Sequence, residues 1–201
     1  MRADAATLRL AVFPRVGREG LLADTVLVLA GTGLVAACAQ ISINLGFTPV
    51  PITGQTFAVV LVGGALGAVR GTASLFLYLW LGVAGAPIYA DHAHGWSVIT
   101  SPTGGYIVGF VIAGAVIGRL AEQKWDRRFS SSVAAMLTGN VIIYLVGLPW
   151  LWWQITPHPS LEKTFEYGLY PFVPGDIFKL YLAGALLPAA WRVVERVSRD
   201  S

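Results

Sequence analysis

The chain has 201 residues, of which 55% are hydrophobic and only 12% charged, with a mean hydropathy of +0.65. That is about half the usual share of charge, which excludes an ordinary soluble domain and points to an integral membrane protein of one compact domain. A pI near 9.2 would suit nucleic acid, but the basic residues stand in short segments between apolar runs and form no stripe with aromatics, so that partner is excluded too.

Residues 1–20 carry Arg2, Arg9, Arg15 and Arg18 around an apolar patch that is broken by Pro14. The patch is too short to cross a membrane. This segment reads as a cytoplasmic basic leader, with an interfacial helix around Leu8–Phe13. The run Leu21–Ile43 follows, long enough at 1.5 Å per residue to cross a core of about 30 Å. Within it, Val35-Ala36-Ala37-Cys38 has the form of a bacterial lipoprotein cleavage site. Cleavage there would leave an odd number of spans against the charge pattern, so the chain is read uncut. Cys38 is the single cysteine, which excludes a disulfide framework or a multi-cysteine metal site.

Asn44–Ile52, with Gly46, Pro49 and Pro51 and no basic residue, reads as an outer loop. Thr53–Val69 is a second, shorter span, interrupted by Gly63, Gly64 and Gly67 and ending at Arg70-Gly71. Thr72–Ala90 is the third, with Pro87 where a helix would stop or kink. After the outer loop Asp91–Pro102, the fourth span is Thr103–Leu120 and the fifth runs from about Ser132 to Trp153. A loop, Gln154–Val173, leads to the sixth span, Pro174–Trp191, and residues 192–201 form a basic tail. The expected fold is all-α: six transmembrane helices in one bundle over residues 21–191.

Six spans put both termini on one side. The segments on that side hold twelve basic residues, and the opposite loops hold only Lys163. By the positive-inside rule both termini are cytoplasmic, and Trp150, Trp152, Trp153 and Tyr170 form an aromatic belt at the outer interface. Small residues recur four apart at Gly63 and Gly67, Gly105 and Gly109, and Gly114 and Gly118, as close helix packing in lipid requires. Gly33 and Ala37 in the first span are set apart, because small residues there lie on more than one face. One face is left for a partner.

The chain has no Gly-Lys pair and so no phosphate-binding loop, no zinc-type H-E-x-x-H and no G-x-S-x-G nucleophile motif. It is expected to be no enzyme, with no metal site. His92 and His94, two apart in a loop, fall short of the three or four ligands a metal wants. What stands out is Pro174-Gly175-Asp176-Ile177-Phe178-Lys179. Asp176 and Lys179 are three apart, so on a helix they share a face, and an intramembrane charge costs about 2.5–3.5 kcal/mol on insertion scales. Two readings are open: a self-neutralising pair near the interface, or a ligand site offering one acceptor and one cation.

Other polar and aromatic residues fall at the same end of the spans. They are Thr53 and Gln55; Trp96, Thr103, Gly104, Gly105 and Tyr106; and, deeper, Asn140 and Tyr144. Apolar walls with a few convergent polar groups suit a small ligand, partly apolar and polar at its ends.

Four stretches carry a resemblance: Pro-Val-Pro-Ile-Thr-Gly-Gln-Thr at 49–56, Ser-Pro-Thr-Gly-Gly-Tyr at 101–106, Ile-Tyr-Leu-Val-Gly-Leu-Pro-Trp at 143–150, and Pro-Phe-Val-Pro-Gly-Asp-Ile-Phe-Lys at 171–179. In this order and at these depths the chain resembles the BioY family, the biotin-specific membrane subunits (S components) of energy-coupling factor transporters. The family pattern places Gly before Pro-Thr-Gly-Gly, where this chain has Ser101. The resemblance implies a substrate-binding subunit in the cell membrane that captures biotin from outside. It implies as partners a transmembrane coupling subunit and two ATPase subunits, and no cofactor beyond the transported ligand. The main alternative is a stand-alone biotin transporter working without the ATPase module. Biotin carries ureido N–H donors and a carbonyl at one end, a carboxylate at the other and an apolar thioether ring between. Asp176 suits the N–H groups, Lys179 an oxygen, and Trp96, Tyr106 and Tyr144 the ring system.

Overall fold

Lipid offers no partner to a backbone N–H or C=O, so long apolar runs must satisfy these groups within helices. In the computed structural model, which describes residues 18–199, the chain does this almost throughout. The elements in order are α1 (Arg18–Ala39), a strand pair β1 (Ser42–Ile43) and β2 (Ile52–Thr53), α2 (Gln55–Val83), α3 (Trp96–Ile99), α4 (Gly104–Glu122), α5 (Phe129–Gln154), α6 (Leu161–Gly168) and α7 (Val173–Arg199). Among the described residues, five helices are long and apolar enough to cross a membrane: α1, α2, α4, α5 and α7. The expected leader helix around Leu8–Phe13 lies outside the described residues.

α2 is not straight. Gly67 sits at φ 81°, ψ 178°, a region open in practice only to glycine, and there the chain doubles back. The side chains of Gln55 and Tyr78 are hydrogen-bonded at 2.7 Å, and a Cβ built on Gly71 would lie 3.0 Å from the Gly63 Cα. Both pairs are nearly symmetric about Gly67, so α2 is a helical hairpin. The reversal falls three residues before the expected break at Arg70-Gly71, because the turn needs the backbone conformation rather than the charge. The Ala68 N–H, which opens the second limb, donates to Glu122 Oε1 at 3.0 Å. Replacing Gly67 by alanine forces an L-residue into that region and is expected to cost about 1–3 kcal/mol. Thermal unfolding in detergent would read this directly, and an unchanged midpoint would mean that the turn tolerates another geometry.

α2 packs chiefly on α4 and α1, α4 packs on α5, and α7 closes against α5 and α2. The small residues make this approach possible: a Cβ on Gly63 would lie 3.0 Å from Gly114 O, and one on Gly109 would lie 3.1 Å from the Ile143 Cα. At Gly118 it would overlap the Gly67–Ala68 backbone. The core between these helices holds Val59, Leu75, Tyr78, Ile117, Met136 and Ile143. At the end of α7, buried Trp191 donates from Nε1 to the carboxylate of Asp126, and the Arg127 guanidinium lies 3.4 Å from its ring centroid. Burial raises the pKa of Asp126, in the turn between α4 and α5, while the Trp191 hydrogen bond opposes the rise.

α1 is peripheral, packing on α2. Asp24 pairs with Arg70 at 2.8 Å, and the Thr32 hydroxyl donates to Ser74 O at 2.9 Å. Elsewhere α1 exposes Leu21, Leu22, Val26 and Leu29. Its helix stops at Ala39 rather than reaching Ile43, because Ser42 and Ile43 pair antiparallel with Thr53 and Ile52. The loop expected at Gln154–Val173 contains α6. The Ser160 side chain caps this helix by accepting from the Lys163 N–H at 3.2 Å.

Candidate ligand-binding site

One end of the bundle encloses a cavity of about 350 Å³. The loop between β1 and β2 supplies Asn44, Pro49, Val50 and Pro51, β2 supplies Thr53, and the start of α2 supplies Gln55 and Thr56. The segment before α3 gives Tyr89, Asp91 and Ala93. Below them lie Thr103, Tyr106, Ile107 and Phe110 from the approach to α4 and from α4 itself, Ile143 and Tyr144 from α5, and Phe172, Asp176 and Lys179 beside or on α7. Most of the wall is apolar, and the polar groups converge on α7.

Asp176 lies in the first turn of α7, where the helix dipole favours a carboxylate. It is only 4% exposed, so its hydration is replaced by side chains. Oδ1 accepts from Thr56 Oγ1 at 3.2 Å and from Lys179 Nζ at 3.2 Å, and Oδ2 accepts from the Tyr144 hydroxyl. Lys179 Nζ also donates to Thr56 Oγ1 at 3.0 Å. The threonine hydroxyl thus donates to the carboxylate and accepts from the ammonium. An ammonium has three donors and a carboxylate about four acceptor positions. One N–H of Lys179 and one lone pair of Asp176 therefore remain for a ligand.

The aromatic side chains are held in place around this cluster. Tyr106 meets Tyr144 edge to face, with ring centroids 6.2 Å apart, and its hydroxyl donates to Gly168 O at 2.9 Å. Gln55 donates to the Tyr78 hydroxyl and accepts from Thr53 Oγ1 at 2.8 Å. Tyr89 donates to Leu79 O at 2.5 Å, and burial pushes its phenol up to about 12, so it stays protonated at neutral pH. Asn44 Nδ2 donates to Asp91 Oδ2 at 2.9 Å, and Thr48 Oγ1 donates to Tyr167 O at 2.6 Å. These two bonds tie the loop between β1 and β2 across the cavity to its neighbours.

Seven of the eleven expected residues line this cavity: Thr53, Gln55, Thr103, Tyr106, Tyr144, Asp176 and Lys179. The other four lie elsewhere. Trp96 is 61% exposed on α3. Gly104 and Gly105 are packing positions, where a Cβ would overlap Ile99 O and the Trp150 side chain respectively. Asn140 is buried one turn of α5 from Tyr144, its Oδ1 without a partner, and it does not border the cavity. Thr56, the bridge of the charge cluster, falls within a quoted stretch but outside the expected ligands. Its polar neighbours on α7 are 120 residues away in sequence, so nothing local marks it. Asp91 was equally hidden, in a turn where it and His92 adopt φ of 55° and 57°.

A polytopic helical membrane protein with a largely apolar cavity and a fixed charge cluster at one end is a small-molecule binding protein of the bilayer. The BioY family model matches residues 8–196, and the chain belongs to the BioY family. It is 38% identical over 162 residues to the biotin transporter BioY of Thermotoga maritima, covering 80% of this chain and 92% of that one. With a probable biotin transporter BioY of Pyrococcus horikoshii it shares 39% over 153 residues, covering 76% and 86%. Its fold is similar to the crystal structure of the S-component for biotin from an ECF-type ABC transporter, with a TM-score of 0.78 over 87% of this chain and 94% of that one, at 24% identity.

Proposed function

We propose that this chain is the substrate-specific subunit of a biotin uptake system in the cell membrane, taking biotin into the cavity above α7. The observation that carries the reading is the Asp176–Thr56–Lys179–Tyr144 cluster. It leaves one donor and one acceptor free at the end of an apolar-walled space of about 350 Å³, which suits a molecule with a polar ureido end and an apolar ring. Tyr106 and Tyr144 are placed to pack on the thioether ring, and Thr53, Gln55 and Thr103 fix the polar wall. Asp91 joins them as a second carboxylate at the cavity edge.

Counting the hairpin α2 as two crossings gives six, with both termini cytoplasmic and the cavity on the outer side. The distribution of basic residues supports this orientation. The chain carries a site but no nucleotide-binding motif, so energy comes from partners: a transmembrane coupling subunit and two ATPase subunits. Mass spectrometry of the protein purified from its membrane tests both parts. Intact biotin bound to it and co-purifying ATPase subunits are the expected results, whereas a different ligand would overturn the substrate. Biotin uptake by the chain alone would favour the stand-alone transporter.

The coupling subunit is assigned to α1, on the face carrying Gly33 and Ala37. Both are exposed, and a Cβ on Gly33 would meet nothing within 4 Å. Replacing either by leucine adds bulk that the isolated subunit has room for but a closely packed partner helix does not. Uptake is expected to fall at least tenfold while biotin binding stays unchanged. Loss of both together would remove the assignment.

A further inference from the structure

Gln40 is the first residue beyond α1, and it does not border the cavity. Its carboxamide nevertheless reaches the cavity rim. Nε2 donates to Ala36 O at 3.1 Å, one of the last four carbonyls of α1, which lack an intrahelical donor. It donates also to Tyr89 O at 3.1 Å and meets Ile88 O at 3.4 Å, while Oε1 accepts from the His92 N–H at 3.2 Å. The opposite orientation would set the amide oxygen against all three carbonyls, so the partners decide which atom points where. One half-buried side chain thus closes a helix and clasps the chain on both sides of Asp91.

What it clasps is a strained turn. Asp91 and His92 both stand at positive φ, 55° and 57°, a left-handed region that a residue with a Cβ keeps only where its surroundings hold it there. Tyr89 anchors the start of the turn through its hydroxyl on Leu79 O. The turn's own bonds run from the Tyr89 N–H to Ala93 O and from the Ala93 N–H to Ala90 O, both at 3.1 Å. Beyond these, the N–H of the second left-handed residue is taken by Gln40 Oε1. Four residues further on, past β1, Asn44 Nδ2 holds the Asp91 carboxylate at 2.9 Å. The exit from α1 therefore grips this turn twice, by its backbone through Gln40 and by its side chain through Asn44.

We propose that Gln40 is a positioning residue for biotin binding, holding residues 88–92 in the left-handed form that sets Asp91 at the cavity edge. This rests on the function proposed above, in which Asp91 is a second carboxylate of the biotin site. Leucine at position 40 keeps the bulk of the side chain but leaves the Tyr89 carbonyl and the His92 N–H without their partner. The turn then relaxes towards right-handed backbone, and Asp91 moves with it.

The test compares the full wild-type chain in lipid nanodiscs with Gln40→Leu, with Asp91→Asn, which keeps a residue type that tolerates the left-handed region, and with the two together. Each single replacement is expected to weaken biotin binding at least fivefold. The double mutant should bind within about twofold of Asp91→Asn, because a residue that acts through Asp91 then has nothing left to position. Amide exchange of Tyr89 and Ala93, whose acceptors lie within the turn itself, should quicken at least tenfold in Gln40→Leu while that of α2 stays within about twofold of wild type. If that variant folds poorly, Gln40→Glu, which keeps an acceptor for His92 but sets a second oxygen against the Tyr89 carbonyl, should give the same results at neutral pH. Biotin binding like wild type in Gln40→Leu, losses that multiply in the double mutant, or unchanged exchange at Tyr89 and Ala93 would each overturn the proposal. So would faster exchange spread evenly over the helices in both variants, since Gln40 would then support the fold at large. Exchange that responds as expected in a chain whose wild type binds no biotin would leave Gln40 as the residue that holds the turn and reject the substrate instead.

Discussion

Asp176→Asn, Lys179→Met and the double replacement are each expected to weaken biotin binding at least tenfold, about 1.4 kcal/mol, while all three proteins remain folded. The argument turns on what a buried pair does without a ligand. If Asp176 and Lys179 merely neutralise each other, breaking one side is costly, whereas removing both is often neutral. The two residues are 3.2 Å apart and linked a second time through Thr56, so their mutual satisfaction is nearly complete. A ligand changes the balance, because its own polar groups then lose partners at roughly 1.5–3 kcal/mol for each hydrogen bond to a charged group. The double mutant should then be no better than either single one. Titration of biotin into detergent-purified protein decides the matter. A double mutant that binds like wild type while both single mutants fail would leave the cluster as structure alone.

Gly104→Ala is expected to be the most crowded alanine replacement among the described glycines. The added Cβ would overlap Ile99 O and would stand 2.9 Å from the Ile99 Cα. Both belong to the backbone at the end of α3, which no rotamer change can move aside. The turn between α3 and α4 must open, at a cost at or above the 1–3 kcal/mol typical of overpacking, and Thr103 and Tyr106 would leave their places on the cavity wall with it. Lower thermal stability and weaker biotin binding should therefore appear together. Gly33→Ala, a methyl added where nothing lies within 4 Å, is the control and should stay within about 0.5 kcal/mol of wild type. A Gly104→Ala protein of unchanged stability that fails to bind biotin would place that glycine in contact with the ligand.

The long elements were legible in the sequence because the bilayer demands a run of apolar residues that can be counted. The charge pair was legible because such a cost must be offset by something. Other features followed rules that the apolar pattern does not encode. Trp96 and Tyr106 look alike as aromatic candidates, yet one is 61% exposed and the other 8%, because Tyr106 packs edge to face on Tyr144 and its hydroxyl is held by Gly168 O. Gly104 and Gly105 read as ligand-side glycines, and in the structure they are crowded by the Ile99 backbone and the Trp150 side chain respectively. Asn140 shares the face of α5 that Ile143 and Tyr144 present, but it lies one turn further from the cavity and does not border it. α6 did leave a trace, with Ser160 as its cap, Leu161 and Phe165 four apart and Gly168 at its end. In a segment expected to be loop, eight residues with no long apolar run did not stand out.

The hairpin at Gly67 also bears on the membrane itself. Its first limb, Gln55–Leu66, is about 18 Å long at 1.5 Å per residue and its second, Ala68–Val83, about 24 Å, both shorter than a typical hydrocarbon core of about 30 Å. The first limb is shielded by α4, with Val59, Val60 and Val62 buried, but the second shows Val69, Phe76 and Trp80 to lipid. A flank this short is best matched where the bilayer thins, since mismatch costs a fraction of a kcal/mol for each ångström. The subunit would then be sorted by thickness, gathering where the membrane is thin and avoiding regions stiffened by long saturated chains.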